Sequence, residues 1–208
     1  VVLFLGQLMM DGRLPKLPIY VDSPMSREAT KIMAAHADLF DKETSELMRG
    51  GHHPLFFEGV RYVADVEESK SLNEVREGVI VSASGMCESG RVLHHLKQSI
   101  GRKQDCVLLV GYQAENTLGR RLMDGMDEVR IYGDTYKVRC KVRSMSGFSA
   151  HADYSELLTA ERHLAMRCKQ VFVVHGEEEP AMAFAGRLRD VGFRDVVVPA
   201  KRDCIDIA

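Results

Sequence analysis

Short apolar runs alternate along this chain with stretches in which apolar residues recur every three or four positions. The runs Ile19–Val21, Val60–Ala64, Val79–Ser82, Cys106–Val110 and Val171–Val174 have the length and composition of buried strands. Between them the helical spacing predicts helices near 26–36, 42–48, 67–76, 89–100 and 118–126. Gly50-Gly-His-His-Pro54 interrupts the pattern as a loop. Strands alternating with helices predict an α/β fold in which a parallel sheet carries helices on both faces.

The texture changes beyond residue 129. Positions 129–145 read as extended structure, and Lys137-Val-Arg-Cys-Lys-Val-Arg143 alternates strictly. On a strand that places Lys137, Arg139, Lys141 and Arg143 on one face and Val138, Cys140 and Val142 on the other. A helix is predicted over 153–166, a strand ending at His175, a helix over 178–191, and short strands near 195–198 and 205–207. The change of texture sets a domain boundary near Ser146-Gly147, giving segments 1–146 and 147–208. There are no internal repeats and no low-complexity tract. The chain opens apolar, Val1-Val-Leu-Phe-Leu5, without the charged start and small-residue cleavage site of a secretory signal. That start reads as a cut made at a helix inside a longer protein. No apolar run approaches the length of a membrane span.

Composition adds a compartment and a charge argument. At 45% hydrophobic and 28% charged, the chain has the make-up of a soluble globular protein. Its five cysteines are odd in number, widely spaced and form no CxxC pair, which fits reduced thiols in a cytoplasmic protein. A net charge of −2 carries no global sign of nucleic-acid binding, so any basic surface is local. Between Arg120 and Arg143 seven basic residues stand against four acidic ones. The face from Lys137 to Arg143 is either a solvated edge that discourages aggregation or a phosphate track.

Several strand-to-helix turns carry candidate chemistry, each with a plain structural alternative. Ser82-Ala-Ser-Gly-Met-Cys-Glu-Ser-Gly90 follows a strand and opens a helix. Small residues there let an anion approach backbone N–H groups, but a tight turn also calls for glycine. Asp22 and Ser23 are either a site or a helix cap. In Gly111–Arg120, Tyr112 is a candidate for stacking on a base and Arg120 for holding a phosphate, while Thr117 can cap the next helix. Asp153-Tyr-Ser-Glu156 has the form of a capping box. The neighbouring pairs His52-His53 and His94-His95 point apart on any regular element and suggest no chelate. His151 and His175 lie in different settings, before a helix and at a strand end. No HxH, HxxxH or HxxEH spacing completes a metal site beside them. The chain has no GxSxG elbow, Walker A or GxGxxG signature, which leaves a serine hydrolase or a stand-alone nucleotide-binding domain without support.

Six motifs in order resemble the β-CASP family of metallo-β-lactamase-fold nucleases: DSPM at 22–25, ESK at 68–70, SASGMCESGRVLHHL at 82–96, GYQAENTLGRR at 111–121, GFSAHAD at 147–153 and VHGE at 174–177. The chain is most similar to the RNA-processing branch, which includes the mRNA 3′-end cleavage nuclease and its bacterial and archaeal relatives. The resemblance implies that residues 1–146 are most of a β-CASP domain, and that 147–208 close a metallo-β-lactamase fold. It implies that His151 contacts the scissile phosphate and assists as an acid, and that His175 is a ligand to one zinc. By the same resemblance Ser149 and the backbone around it bind phosphate, and RNA lies near Asp22, Ser23, Ser84, Gly85, Tyr112, Arg120 and His151, in a cleft between the two domains.

The family's HxHxDH signature and its further His and Asp ligands do not occur in this chain. The expectation is therefore a parent enzyme that hydrolyses RNA with two zincs, of which this chain holds none and alone has no hydrolytic activity. RNA and the missing metallo-β-lactamase half of the same chain are the expected partners, with no membrane. A homodimer is a further possibility, and self-association through apolar surface left uncovered by truncation is another. The alternative reading is a non-catalytic scaffold relative in an RNA-processing complex; intact His151 and His175 favour the active form.

Overall fold

The computed structural model describes residues 1–149 and 151–205. They form two units, Val1–Ser149 and Ala150–Ala208. The architecture is α/β, with parallel strand pairing and helical crossovers.

In the first unit helix α1 (Val2–Met10) precedes β1 (Ile19–Asp22). Helices α2 (Pro24–Ala35) and α3 (Lys42–Arg49) lead to β2 (Val60–Tyr62), and α4 (Val66–Ser71) leads to β3 (Val79–Ser82). The three strands are parallel in the order β2-β1-β3. The helix starts follow local chemistry. The Ser23 hydroxyl accepts the Ser26 N–H at 3.2 Å, with Pro24 in the first turn, where a missing N–H costs nothing. Asp41 and Asp65 cap α3 and α4 in the same way. The helix expected over 67–76 is shorter, because α4 passes into a single 3-10 turn at Leu72–Glu74.

Helix α5 (Arg91–Ser99) then leads to β4 (Cys106–Val110). Leu93, Leu96 and Ile100 recur at helical spacing and are buried with Leu109, Leu122 and Ile131. Each such side chain contributes roughly 1.5–3 kcal/mol on burial. Helix α6 (Leu118–Met123) and an antiparallel hairpin, β5 (Glu128–Ile131) and β6 (Asp134–Lys137), lie between β4 and its parallel partner β7 (Lys141–Met145).

The single basic strand expected over 137–143 is not formed. Lys137 ends β6, whereas Lys141 and Arg143 belong to β7. Between them the N–H groups of Arg139 and Cys140 both donate to the Ile100 carbonyl, at 2.8 and 3.1 Å. Carbonyls at a helix C-terminus lack intrahelical partners, and this one draws the chain off its ladder. Exposure still alternates across the break, with all four basic side chains outward.

The second unit contains α7 (Tyr154–Glu161), β8 (Val171–Phe172), α8 (Glu178–Asp190) and β9 (Val196–Val197). β8 and β9 pair in parallel, with α8 as the crossover. Ala185, Leu188, Phe193 and Val196 form its core. The strand expected to run to His175 stops earlier, although the Val173 N–H still reaches the Val197 carbonyl at 2.9 Å. The strand expected near 205–207 falls mostly outside the described residues. Among the described residues no helix is long and apolar enough to cross a membrane.

Candidate functional site at the strand ends

β1 is the central strand of its sheet. The chain leaves it for β2 on one side, and β2 returns across it to β3 on the other. In open α/β sheets the crevice outside the carboxyl ends of strands, at such a reversal, is where ligands bind. Asp22 is the last residue of β1 and lies opposite Ser82, the last of β3.

Asp22 is fully buried, at 0% exposure. Arg91 Nη1 donates to one carboxylate oxygen at 2.5 Å. Ser69 Oγ and His95 Nε2 reach the other, each at 2.6 Å. Its backbone carbonyl accepts the Ser82 hydroxyl at 3.1 Å. An ionised carboxylate only accepts, so Nε2 of His95 carries the proton in this bond. Burial by itself would raise the Asp22 carboxyl. The hydrogen bonds from Ser69, Arg91 and His95, with the charge of Arg91, outweigh it and hold the group below its ordinary range.

This geometry gives Asp22, expected to lie near RNA, a set of partners within the chain. Both oxygens of this buried carboxylate are engaged, and they anchor Arg91 and His95 at the carboxyl end of β1. Ser23 is nearly as buried, and its hydroxyl is the α2 cap. Arg91 and His95 were not singled out from sequence. Their spacing of four residues at the start of a helix was the available signal, since it puts both on one face.

Ser84 is half-buried and Gly85 exposed. The Ser84 N–H donates to the Ser89 carbonyl, and the Ser84 carbonyl accepts the Cys87 N–H, each at 3.1 Å. These bonds account for the segment as a tight turn. The turn is also locked to the loop after β4. Buried Gln113 donates through Nε2 to the Gly85 carbonyl at 3.0 Å, and the Gly119 N–H donates to the Met86 carbonyl at 3.0 Å. The Glu88 carboxylate accepts the Leu118 N–H at the start of α6. From this loop Tyr112 projects with 60% of its surface exposed. Arg120 Nε lies 2.9 and 3.0 Å from the two oxygens of Asp124 on the same helix. Thr117 caps α6, as its position suggested.

Ser149 is exposed at the end of the first unit, and its N–H donates to the Ser146 carbonyl at 3.3 Å. His151 and His175 both belong to the second unit. His151 is exposed just ahead of α7, whose capping box is complete: Asp153 accepts from the Ser155 and Glu156 N–H groups, and Glu156 accepts the Asp153 N–H. His175 is exposed after β8 with φ at +64°, and lines an apolar groove of about 510 Å³ with Leu157, Val173 and Phe184. Among the described residues no cluster of three or more His, Cys, Asp or Glu side chains could hold a metal ion. By themselves they do not fit a zinc site.

A family model described as the Beta-Casp domain matches residues 1–122. One described as the Zn-dependent metallo-hydrolase RNA specificity domain matches residues 135–199. A ribonuclease of Thermus thermophilus is 36% identical over 172 residues, which cover 82% of this chain and 39% of that protein. The transcription termination factor FttA of Methanocaldococcus jannaschii is 30% identical over 197 residues, 91% of this chain and 31% of its own length. That of Pyrococcus abyssi is 31% identical over 175 residues, 81% of this chain and 27% of its own length. The chain thus spans about a third of the length of the curated relatives it matches.

Proposed function

The chain belongs to the β-CASP family, and from that premise we propose that it is the RNA-gripping part of a zinc-dependent ribonuclease that hydrolyses phosphodiester bonds. The observation that carries this reading is the match of residues 135–199 to an RNA specificity domain of Zn-dependent metallo-hydrolases, following the β-CASP match in one chain. The name of the Thermus thermophilus relative supports a nuclease. The name of the archaeal relatives supports RNA transcripts as the substrate class.

Each residue has a role in this proposal. Asp22 holds Arg91 and His95 in place beside the crevice, and Ser23 fixes the helix that starts there. Ser84 and Gly85 shape the turn along which the RNA backbone passes. Tyr112 stacks on a base, and Arg120 exchanges Asp124 for a phosphate. Ser149 contributes to phosphate binding. His151 meets the scissile phosphate and assists as an acid. His175 supplies one zinc ligand, and the others come from residues outside this chain. Zinc held by that complete ligand set would activate water for attack on phosphorus.

Binding of a fluorescein-labelled single-stranded RNA, followed by anisotropy across a salt series, tests the reading. Affinity falls steeply as salt rises, because phosphate contacts release counterions. Arg120→Ala lowers the slope of log affinity against log salt by about one. An unchanged slope would mean that Arg120 makes no phosphate contact. Salt-independent binding, or none, would remove the RNA role.

A further inference from the structure

Adjacent residues on a helix point about 100° apart, and α5 uses this to present two functional edges. Arg91 and His95 face Asp22. His94 and Lys97 face the β5–β6 hairpin instead. The Tyr132 phenol oxygen lies 3.0 Å from His94 Nε2, and the two rings meet tilted at 40° with centroids 5.1 Å apart. The Lys97 ammonium lies 5.8 Å from the centroid of the Tyr136 ring and 3.8 Å from the Asp134 carboxylate.

Tyr132 occupies an unusual place. It is the first of the two residues joining β5 to β6, with φ at +53°, and Gly133 follows at +88°. Two left-handed residues in a two-residue hairpin make the turn type that favours Asn, Asp or Gly at its first position. A large aromatic residue is disfavoured there by its own backbone. Tyr132 is 55% exposed, so core packing does not explain the choice. Arg130 and Lys137 are exposed on the same hairpin, where Glu128 and Asp134 balance their charge, so the cation beside the ring is Lys97.

We propose that the tilted ring pair Tyr132–His94, with Lys97 beside it, is a platform for an unpaired base of single-stranded RNA, separate from the Tyr112 loop. Exposed rings next to cations are the sequence-tolerant chemistry of single-strand binding: a ring takes the base face and an ammonium the phosphate. Helix α5 connects this platform to the crevice at the strand ends, since Arg91 and Lys97 are about 9 Å apart along its axis. The proposal rests on the RNA reading above and gives the strand a second point of contact.

The chain contains no tryptophan, so Tyr132→Trp introduces a single indole at the platform. Labelled single-stranded RNA is titrated into this variant, reading RNA anisotropy and indole emission together. Emission is quenched in step with the anisotropy rise, whereas an abasic ribose-phosphate oligomer leaves it unquenched. Tyr132→Ala weakens binding roughly tenfold, the loss of one stacked base, and Tyr132→Phe retains it. An anisotropy rise with silent indole emission overturns the platform and leaves RNA binding standing. So does equal quenching by the abasic oligomer. No anisotropy rise for wild type or variant removes the RNA reading, and the platform with it.

Discussion

Asp22 is a charge taken out of water, which is tolerable only because donors meet both of its oxygens. Removing it leaves Arg91 and His95, both largely shielded, facing an empty space. Asp22→Ala therefore costs about 3 kcal/mol in urea unfolding; a loss within about 0.5 kcal/mol would make the cluster incidental. The folded carboxyl is held below its ordinary 3.8. Its stabilisation is complete above that value and is lost as pH falls through the lower folded value. Wild type thus loses more stability than Asp22→Asn on acidification below about pH 4, and the gap between them narrows. A constant gap would mean that the charge of Asp22 does not matter. At Cys87 burial is the main cause: it pushes the thiol up to about 11, with the charge of Glu88 adding to the effect. Only the thiolate reacts, so a thiol titration labels exposed Cys106 and Cys204 before buried Cys87 and Cys140. Early labelling of Cys87 would show that its site opens.

At the scale of elements, the two loops that flank the crevice stand or fall together. Gln113 is 2% exposed, and its Oε1 has no hydrogen-bond partner among the described residues. It lies against Gly119, where an added Cβ would come 1.8 Å from that oxygen and 3.1 Å from the Met86 carbonyl. Gly119→Ala therefore displaces Gln113 from Gly85 and costs about 1–3 kcal/mol by overpacking. Thermal unfolding measures this, and a melting temperature equal to wild type would show that the lock gives way freely. Gly90 makes a similar close approach at φ +84°, with a Cβ only 2.7 Å from the Ala83 carbonyl. The helix starts at Ser23, Thr117 and Asp153 were legible because a cap is a local bond across two or three residues. The break between Lys137 and Lys141 was not, because its cause is a carbonyl at residue 100.

At the scale of the whole molecule, the two units divide the candidate chemistry. Asp22, Arg91, Tyr112 and Tyr132 lie in the first, and His151 and His175 in the second. Neither unit assembles a metal cluster among its described residues. A two-metal phosphodiesterase needs both ions held in an open site. On the proposed reading, this chain alone gives no metal-dependent RNA cleavage in the presence of zinc. A rate abolished by a chelator and by His175→Ala would contradict that.

The sequence by itself determined the alternation of strands and helices, most caps, and the order of motifs by which the family is recognised. All of these are periodic or local, and the chain carries them without reference to distant parts. Only the tertiary structure decided what Asp22 does. Its partners lie 47, 69 and 73 residues away, and they converge because β1 is central and α5 returns across its end. It also turned His94 and His95, neighbours in sequence, to unrelated partners. A side chain's role depends on which distant groups reach it and whether water is excluded, and no local pattern encodes either.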